Sequence, residues 1–418
     1  MIGKIAGLFR KLVAPRVRKA ERAARAVGDE VRSTSGTLKD VAQSEPATDL
    51  EVGHGLRAGG ARFEVSERER PGSMDPVLTE RICQEFRLGT LLKRPERVSG
   101  SHANEAWRMD TDRNSFIVKH FIPSPTDTIP PVPRLRSGFR LLEKPIADRG
   151  PSQLWRVPTP VPLPGESECL KQIDGRYFRV HEWLDGRRLE QLPRTTERSE
   201  IVGRVVAGIH RMAPAGEVMP NKLPFTEARW HELADRIHPR APEAAARIRS
   251  ESALLSRVHR LTYQPIPPGA ALFSHGDLGP WNMMECADGS IAVYDWDRPD
   301  NVNAVYELIS AVGSSTTTEQ NFVDPDLLLA GIKGYVEASG TRLPTEPTIF
   351  GRWVNGQAEW VEHHTEPHRF DDEPEKFNAE VCLQKVERAV NLFGSIERGQ
   401  QAWLAELAAI NEAVLGQH

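Results

Sequence analysis

The sequence predicts an α+β fold of two lobes, a small antiparallel-sheet lobe followed by a larger helical one. Three observations carry that expectation. Residues 96–121 read as strand, loop, strand, turn, strand, and two more strands, around Glu168–Gln172 and Tyr177–Trp183, meet at the turn dipeptide Asp174-Gly175. Beyond Gly186 the apolar period changes from two residues to the helical one, with Ile201, Val202, Val205, Val206 and Ile209 on one face. Between helical stretches lies HGDLGPWNMMECADGSIAVYDWD (residues 275–297), where Asp288-Gly289 marks a hairpin turn between Met283-Met284 and Ile291, Val293 and Tyr294.

At 418 residues the chain exceeds what one core usually fills, so two packed lobes and an extra segment are expected: residues 1–73, 74–185 and 186–418. Residues 1–25 are basic, with Ile2, Ile5, Leu8, Phe9 and Leu12 at helical spacing. That pattern suits either an amphipathic helix on an anionic membrane surface or a plain, partly disordered extension. Residues 26–73 read as linker. The net charge of −4 gives no general attraction to nucleic acid. Cys83, Cys169, Cys286 and Cys382 are far apart and form no CxxC unit, so reduced, buried thiols are expected. With no apolar run near the ~20 residues of a bilayer span and no evident secretory signal, a cytoplasmic location is expected.

In chain order, Val77, Ile82, Phe86 and Leu88 predict a first helix that ends at Gly89. The turn at Asp112–Asn114 precedes the apolar run Phe116, Ile117 and Val118, which ends in Lys119. Prolines in 123–133 exclude helix there, and Leu135, Phe139, Leu141 and Leu142 then predict a helix carrying Glu143, with a kink at Pro145. Residues 226–262 read as amphipathic helix with Trp230, Leu233 and Ile237 inward, and a short strand precedes His275. After Asp297 a helix with Val302, Val305, Leu308, Ile309 and Val312 on its buried face is expected, then mostly helix to Leu415.

Phosphoryl transfer needs a carboxylate at the attacking hydroxyl, plus an amide oxygen and a second carboxylate for Mg²⁺. Asp277 stands five residues before Asn282, and Asp295 thirteen beyond it. The hairpin between them would return Asp295 to the side of Asn282. Asp277 is therefore the candidate catalytic residue, and Asn282 and Asp295 are the candidate metal ligands. Asp297 fits a second metal, a substrate amine or a helix cap. His275 fits a brace for the loop, and His210 a structural hydrogen bond.

This stretch resembles the catalytic segment of the aminoglycoside phosphotransferase and choline kinase-like family, within the two-lobed protein-kinase-like fold. The resemblance implies an ATP- and Mg²⁺-dependent kinase acting on a hydroxyl of a small molecule. It implies that Ser99, Gly100 and Ser101 cover the ATP phosphates, that Lys119 contacts them, and that Glu143 pairs with Lys119. VHEWLDG resembles the hinge, where Glu182, Trp183 and Leu184 would meet adenine through backbone groups. No longer activation segment with an APE-like motif follows Asp297, which favours a small acceptor over a peptide. The rival readings are a nucleotide-binding scaffold recruited to a membrane by residues 1–25, and a peptide or protein kinase. Ile349, Trp353, Trp360 and His364, with Glu359, Glu362, Glu366, Asp371, Asp372 and Glu373, suit either a wall for a cationic, hydroxylated substrate or a Trp-rich core face with a solvated acidic edge.

Overall fold

Asp75-Pro76 is a helix-start signal, and it starts α1 (Pro76–Glu85): the Asp75 carboxylate accepts from the Leu78 amide at 2.9 Å. The computed structural model describes residues 74–98, 104–122, 154–164, 169–216, 224–263, 271–297, 299–372, 374 and 376–416. The loop of Ser99, Gly100 and Ser101, the helix expected around Glu143, and residues 1–73 lie outside the described residues.

Strands β1 (Glu96–Arg97), β2 (Glu105–Asp110), β3 (Ser115–Phe121), β5 (Leu170–Ile173) and β6 (Arg176–Glu182) form one antiparallel sheet in the order β1-β2-β3-β6-β5. Alternation along a strand gives this sheet two different faces. Phe116 and Val118 on β3, and Phe178 and Val180 on β6, pack with Ile82, Phe86 and Leu88 in the first core. The odd-numbered residues Ile117, Lys119, Arg179 and His181 line a cavity on the opposite face. In the β3–β6 register Lys119 lies across from Arg179, so two cations stand side by side on that face.

The second core belongs to the helices. They are α2 (Thr196–Met212), α3 (Glu227–Ile237), α4 (Pro242–Thr262), α5 (Ala304–Thr316), α6 (Pro325–Ser339), α7 (Gly351–His364), α8 (Pro367–Asp372) and α9 (Ala379–Leu415). The expected single helix over 226–262 is two, because Pro242 cannot continue α3 and instead opens α4. Glycines let α2 and α6 meet closely: a Cβ on Gly203 would collide with the Gly331 carbonyl. Val302 belongs to a strand rather than to the helix it was expected to start. All four cysteines are buried free thiols. No helix among the described residues is long and apolar enough to cross a membrane.

Two small sheets carry the stretch around Asp277. Strands β9 (Met283–Cys286) and β10 (Ile291–Val293) form the hairpin expected from Asp288-Gly289, flanked by β7 (Gly186–Arg188) and by β4 (Trp155–Arg156), which runs parallel to β10. Strand β8 (Ala271–Ser274), leading into His275, pairs with β11 (Asp300–Asn303), which leads out of the hairpin's far side. Both ends of residues 275–297 are thereby pinned to one framework.

Candidate active site

Local hydrogen bonding explains the shape of the Asp277 loop. Gly276 sits at φ +79°, a conformation costly for side chains, and its amide donates to Glu307 Oε1 at 2.8 Å. His275 Nδ1 accepts from the Asp277 amide at 3.3 Å, so its Nε2 carries the proton given to the Tyr294 carbonyl at 2.9 Å. The expected brace is therefore in place. Asn282, 4 % exposed, donates through Nδ2 to the Asp277 carbonyl at 2.8 Å and to Asp277 Oδ2 at 3.2 Å. Both partners are acceptors, which fixes the amide orientation and leaves Asn282 Oδ1 for another ligand. The Asn282 carbonyl accepts from the Tyr294 amide at 3.0 Å, so the hairpin does return Asp295 to the side of Asn282.

Asp295 adopts φ +66°, which costs an L-residue ~1 kcal/mol and turns its carboxylate out of the hairpin's alternation. Lys119 Nζ donates to Asp295 Oδ1 and to Asp297 Oδ2, both at 2.6 Å. Asp297 is more central than its sequence reading as a minor candidate allowed. It is 6 % exposed, takes a very short bond from Arg179 Nη2 and accepts from Asn104 Nδ2 at 3.2 Å. Both oxygens are thus committed to side chains from β3, β6 and the start of β2. Arg179 is 1 % exposed, lies over the Phe121 ring, and buries Nε and Nη1 with no hydrogen-bond partner.

Charge follows this geometry. Burial alone would lower Lys119, but the carboxylates of Asp295 and Asp297 hold it above its ordinary value. Burial would raise Asp297, yet Lys119 and Arg179 hold it well below the usual carboxylate range. Asp295 goes the other way: the groups packed around it strip water from its carboxylate and push it up despite Lys119, with Asp297 adding to the rise, while one edge of the side chain stays open to the surface. His181 is held neutral by burial and by the Arg179 and Lys119 charges.

A cavity of about 280 Å³ opens beside these groups, walled by Val98, Ile117, Leu184 and Tyr294. Glu182, Trp183 and Leu184, the residues expected at a hinge, all line it. Two of their amides are already engaged, Glu182 with the Thr159 carbonyl at 2.8 Å and Trp183 with the Ser115 carbonyl at 2.9 Å. The Glu182 carboxylate is turned to Thr159, whose hydroxyl it binds at 2.6 Å.

The expected substrate wall divides. Ile349 and Trp353 are core residues, 3 % exposed each, while Trp360 is 41 % exposed against His363 and His364. Among the acids, Glu362 pairs with Arg229, Asp371 with Arg240, Glu366 with Arg369, and Glu359 accepts from Asn355. Three of these four acids thus have arginine partners, two of them from distant stretches of the chain.

Glu307 was missed because a buried acid on a helix carries no sequence signature of its partners. His210 Nε2 binds its second oxygen at 2.8 Å, and His210 Nδ1 meets the Tyr335 hydroxyl at 3.1 Å. Burial would raise Glu307, but the His210 hydrogen bond and charge bring it to about 2. Its folded value is below the unfolded one, so its stabilisation is present above about pH 4.3 and is lost as pH falls towards 2. Glu307→Gln is expected to cost on the order of 3 kcal/mol at pH 7. Urea unfolding should show the gap to the parent closing between pH 5 and 2, and a constant gap would remove Glu307 as an ionised brace.

The fold is shared with known kinases. Spectinomycin phosphotransferase APH(9)-Ia, solved with ADP and spectinomycin, is 14 % identical and superposes with a TM-score of 0.51 over 76 % of this chain and 98 % of its own. The microcompartment-associated aminopropanol kinase is 18 % identical, with a TM-score of 0.50 over 80 % of this chain and 100 % of its own. No curated protein matches in sequence. The pattern of the phosphotransferase enzyme family matches residues 95–341, more than half of the chain, and that span includes Lys119, Asp277, Asn282 and Asp295. This chain belongs to the phosphotransferase enzyme family.

Proposed function

We propose that the protein transfers the γ-phosphoryl group of ATP to a hydroxyl of a small molecule. The observation that carries this reading is Lys119 of β3 lying 2.6 Å from Asp295, with Asp277 and Asn282 bonded together one hairpin away. That is the division of labour phosphoryl transfer requires: a cation for phosphate oxygens, hard oxygens for a divalent cation, and a carboxylate for the attacking hydroxyl.

In this reading adenine enters the 280 Å³ cavity and takes its backbone bond from the Leu184 amide, since those of Glu182 and Trp183 are in use. Ser99, Gly100 and Ser101 would cover the phosphates, and Glu143 would approach Lys119 from its helix. Asn282 Oδ1 and the exposed Asp295 carboxylate suit Mg²⁺, which prefers oxygen ligands. Bound there, the ion would neutralise charge on the phosphate oxygens. Lys119 exchanges Asp295 for phosphate while Arg179 keeps Asp297 neutralised. Asp277 accepts a hydrogen bond from the acceptor hydroxyl and aims it at phosphorus. The acceptor oxygen–phosphorus bond forms, the bond to the β–γ bridging oxygen breaks, ADP leaves, and the hydroxyl proton passes late to Asp277. An ordinary carboxylate is too weak to ionise an alcohol beforehand, so orientation is its main contribution.

Asp295→Asn tests the metal role. Isothermal titration with ADP is expected to show tight, Mg²⁺-dependent binding for the parent, and about 10- to 100-fold weaker binding with little Mg²⁺ dependence for the variant. Unchanged metal dependence would end the assignment of Asp295 as a ligand.

A further inference from the structure

Arg352, the second residue of α7, donates through Nη2 to the Gly276 carbonyl at 3.3 Å. Its guanidinium therefore stands against the residue that precedes Asp277. Arg352 is exposed, and among the described residues no carboxylate lies within ion-pair range of it. Four other arginines of the helical lobe have acidic partners: Arg229 with Glu232 and Glu362, Arg240 with Asp371, Arg257 with Glu397, and Arg369 with Glu366. One carbonyl uses one of the five guanidinium N–H donors, and the remainder form the flat, forked array that matches an oxyanion.

Two more observations turn this into a statement about substrate. Of the acids of α7 and α8 that would attract a cation, Glu362, Asp371 and Glu366 are already paired with arginines of the fold. The Tyr306 ring lies 3.8 Å from the Cβ position of Gly351, the neighbour of Arg352, so an aromatic ring rather than an acid stands next to the start of α7. A guanidinium with most of its donors uncommitted, held against the residue that precedes Asp277, is a poor environment for an ammonium group and a good one for a carboxylate or phosphate.

We propose that the phosphate acceptor carries an oxyanionic group besides its hydroxyl, and that Arg352 binds that group and makes it a specificity determinant. The inference rests on the phosphotransferase reading. Arg352 holds the anion of the acceptor while Asp277 holds its hydroxyl, so the two groups sit within a few bonds of each other.

The test is ADP release by the full chain with MgATP and two matched sets of alcohols: D-glycerate, 3-hydroxybutyrate and glycerol 3-phosphate against choline, 1-amino-2-propanol and glycerol. Transfer to at least one anionic member is expected, with higher kcat/KM than for any cationic or neutral one; glycerate against glycerol 3-phosphate separates carboxylate from phosphate. Arg352→Ala is expected to raise KM for the anionic acceptor about 10- to 100-fold, with Arg352→Lys between it and the parent. Transfer only to cationic or neutral alcohols, or to none of the anionic ones, overturns the proposal. So does an Arg352→Ala variant whose kcat falls equally for every acceptor with KM unmoved, which would put the guanidinium on the transferring phosphoryl group. A parent protein that binds no ADP sinks the phosphotransferase reading itself, whereas intact ADP binding with no anionic acceptor sinks this inference alone.

Discussion

Asp277→Ala is expected to lower kcat by about 10²- to 10⁴-fold while leaving ADP affinity and folding close to those of the parent. The structure separates these effects. Asp277 is exposed, and its carboxylate receives one intramolecular bond, from Asn282 Nδ2 at 3.2 Å. Removing it deletes no core contact, so the stability change should stay within about 0.5 kcal/mol. Asn282 keeps its shorter bond to the Asp277 main-chain carbonyl at 2.8 Å, so its Oδ1 remains aimed as before. The loop keeps its Gly276–Glu307 and His275–Tyr294 bonds as well. Loss of turnover with nucleotide binding retained is thus specific to the carboxylate. Steady-state ADP production beside ADP titration checks it, and a kcat within threefold of the parent would sink the assignment of Asp277.

The outline of this site was legible because its parts are local. A DG turn fixes the β9–β10 hairpin, the hairpin fixes the approach of Asp295 to Asn282, and five residues fix Asp277 to Asn282. Strand alternation gave Lys119 its face of the sheet. What sequence could not give were partners brought together by the sheet register and by helix packing. Arg179 faces Lys119 because β3 and β6 pair in one register, and nothing within either strand announces it. Glu307 reaches Gly276 and His210 across separations of 31 and 97 residues. The acidic run near α8 was open to two readings for the same reason, since Arg240, the partner of Asp371, stands 131 residues away. The split of 226–262 is legible from Pro242, although the apolar period runs on through it.

Asp297 is where reading by motif and reading by structure diverge most, and its replacement carries the largest expected stability change. Two acids two residues apart have been given opposite work by burial. Asp295 is exposed and strained, so Asp295→Asn is expected to leave the melting temperature nearly unchanged while altering metal dependence. Asp297 is buried and its two oxygens hold Arg179, Lys119 and Asn104. Asp297→Ala leaves Arg179 at 1 % exposure with no counter-charge, and Nε and Nη1 already have no partner. An uncompensated buried charge costs about 3–5 kcal/mol. For a protein of this size that corresponds to a melting temperature lower by roughly 5 °C. The pair can be separated from its members by removing both: Arg179→Met with Asp297→Ala takes away the stranded charge and fills the space against Phe121 with an apolar chain. Calorimetry should therefore show the double variant regaining most of the loss, with a coupling of several kcal/mol between the two positions. A single Asp297→Ala variant that melts within 2 °C of the parent would mean that Arg179 finds solvent, and would remove Asp297 as the anchor joining the sheet to the Asp295 turn.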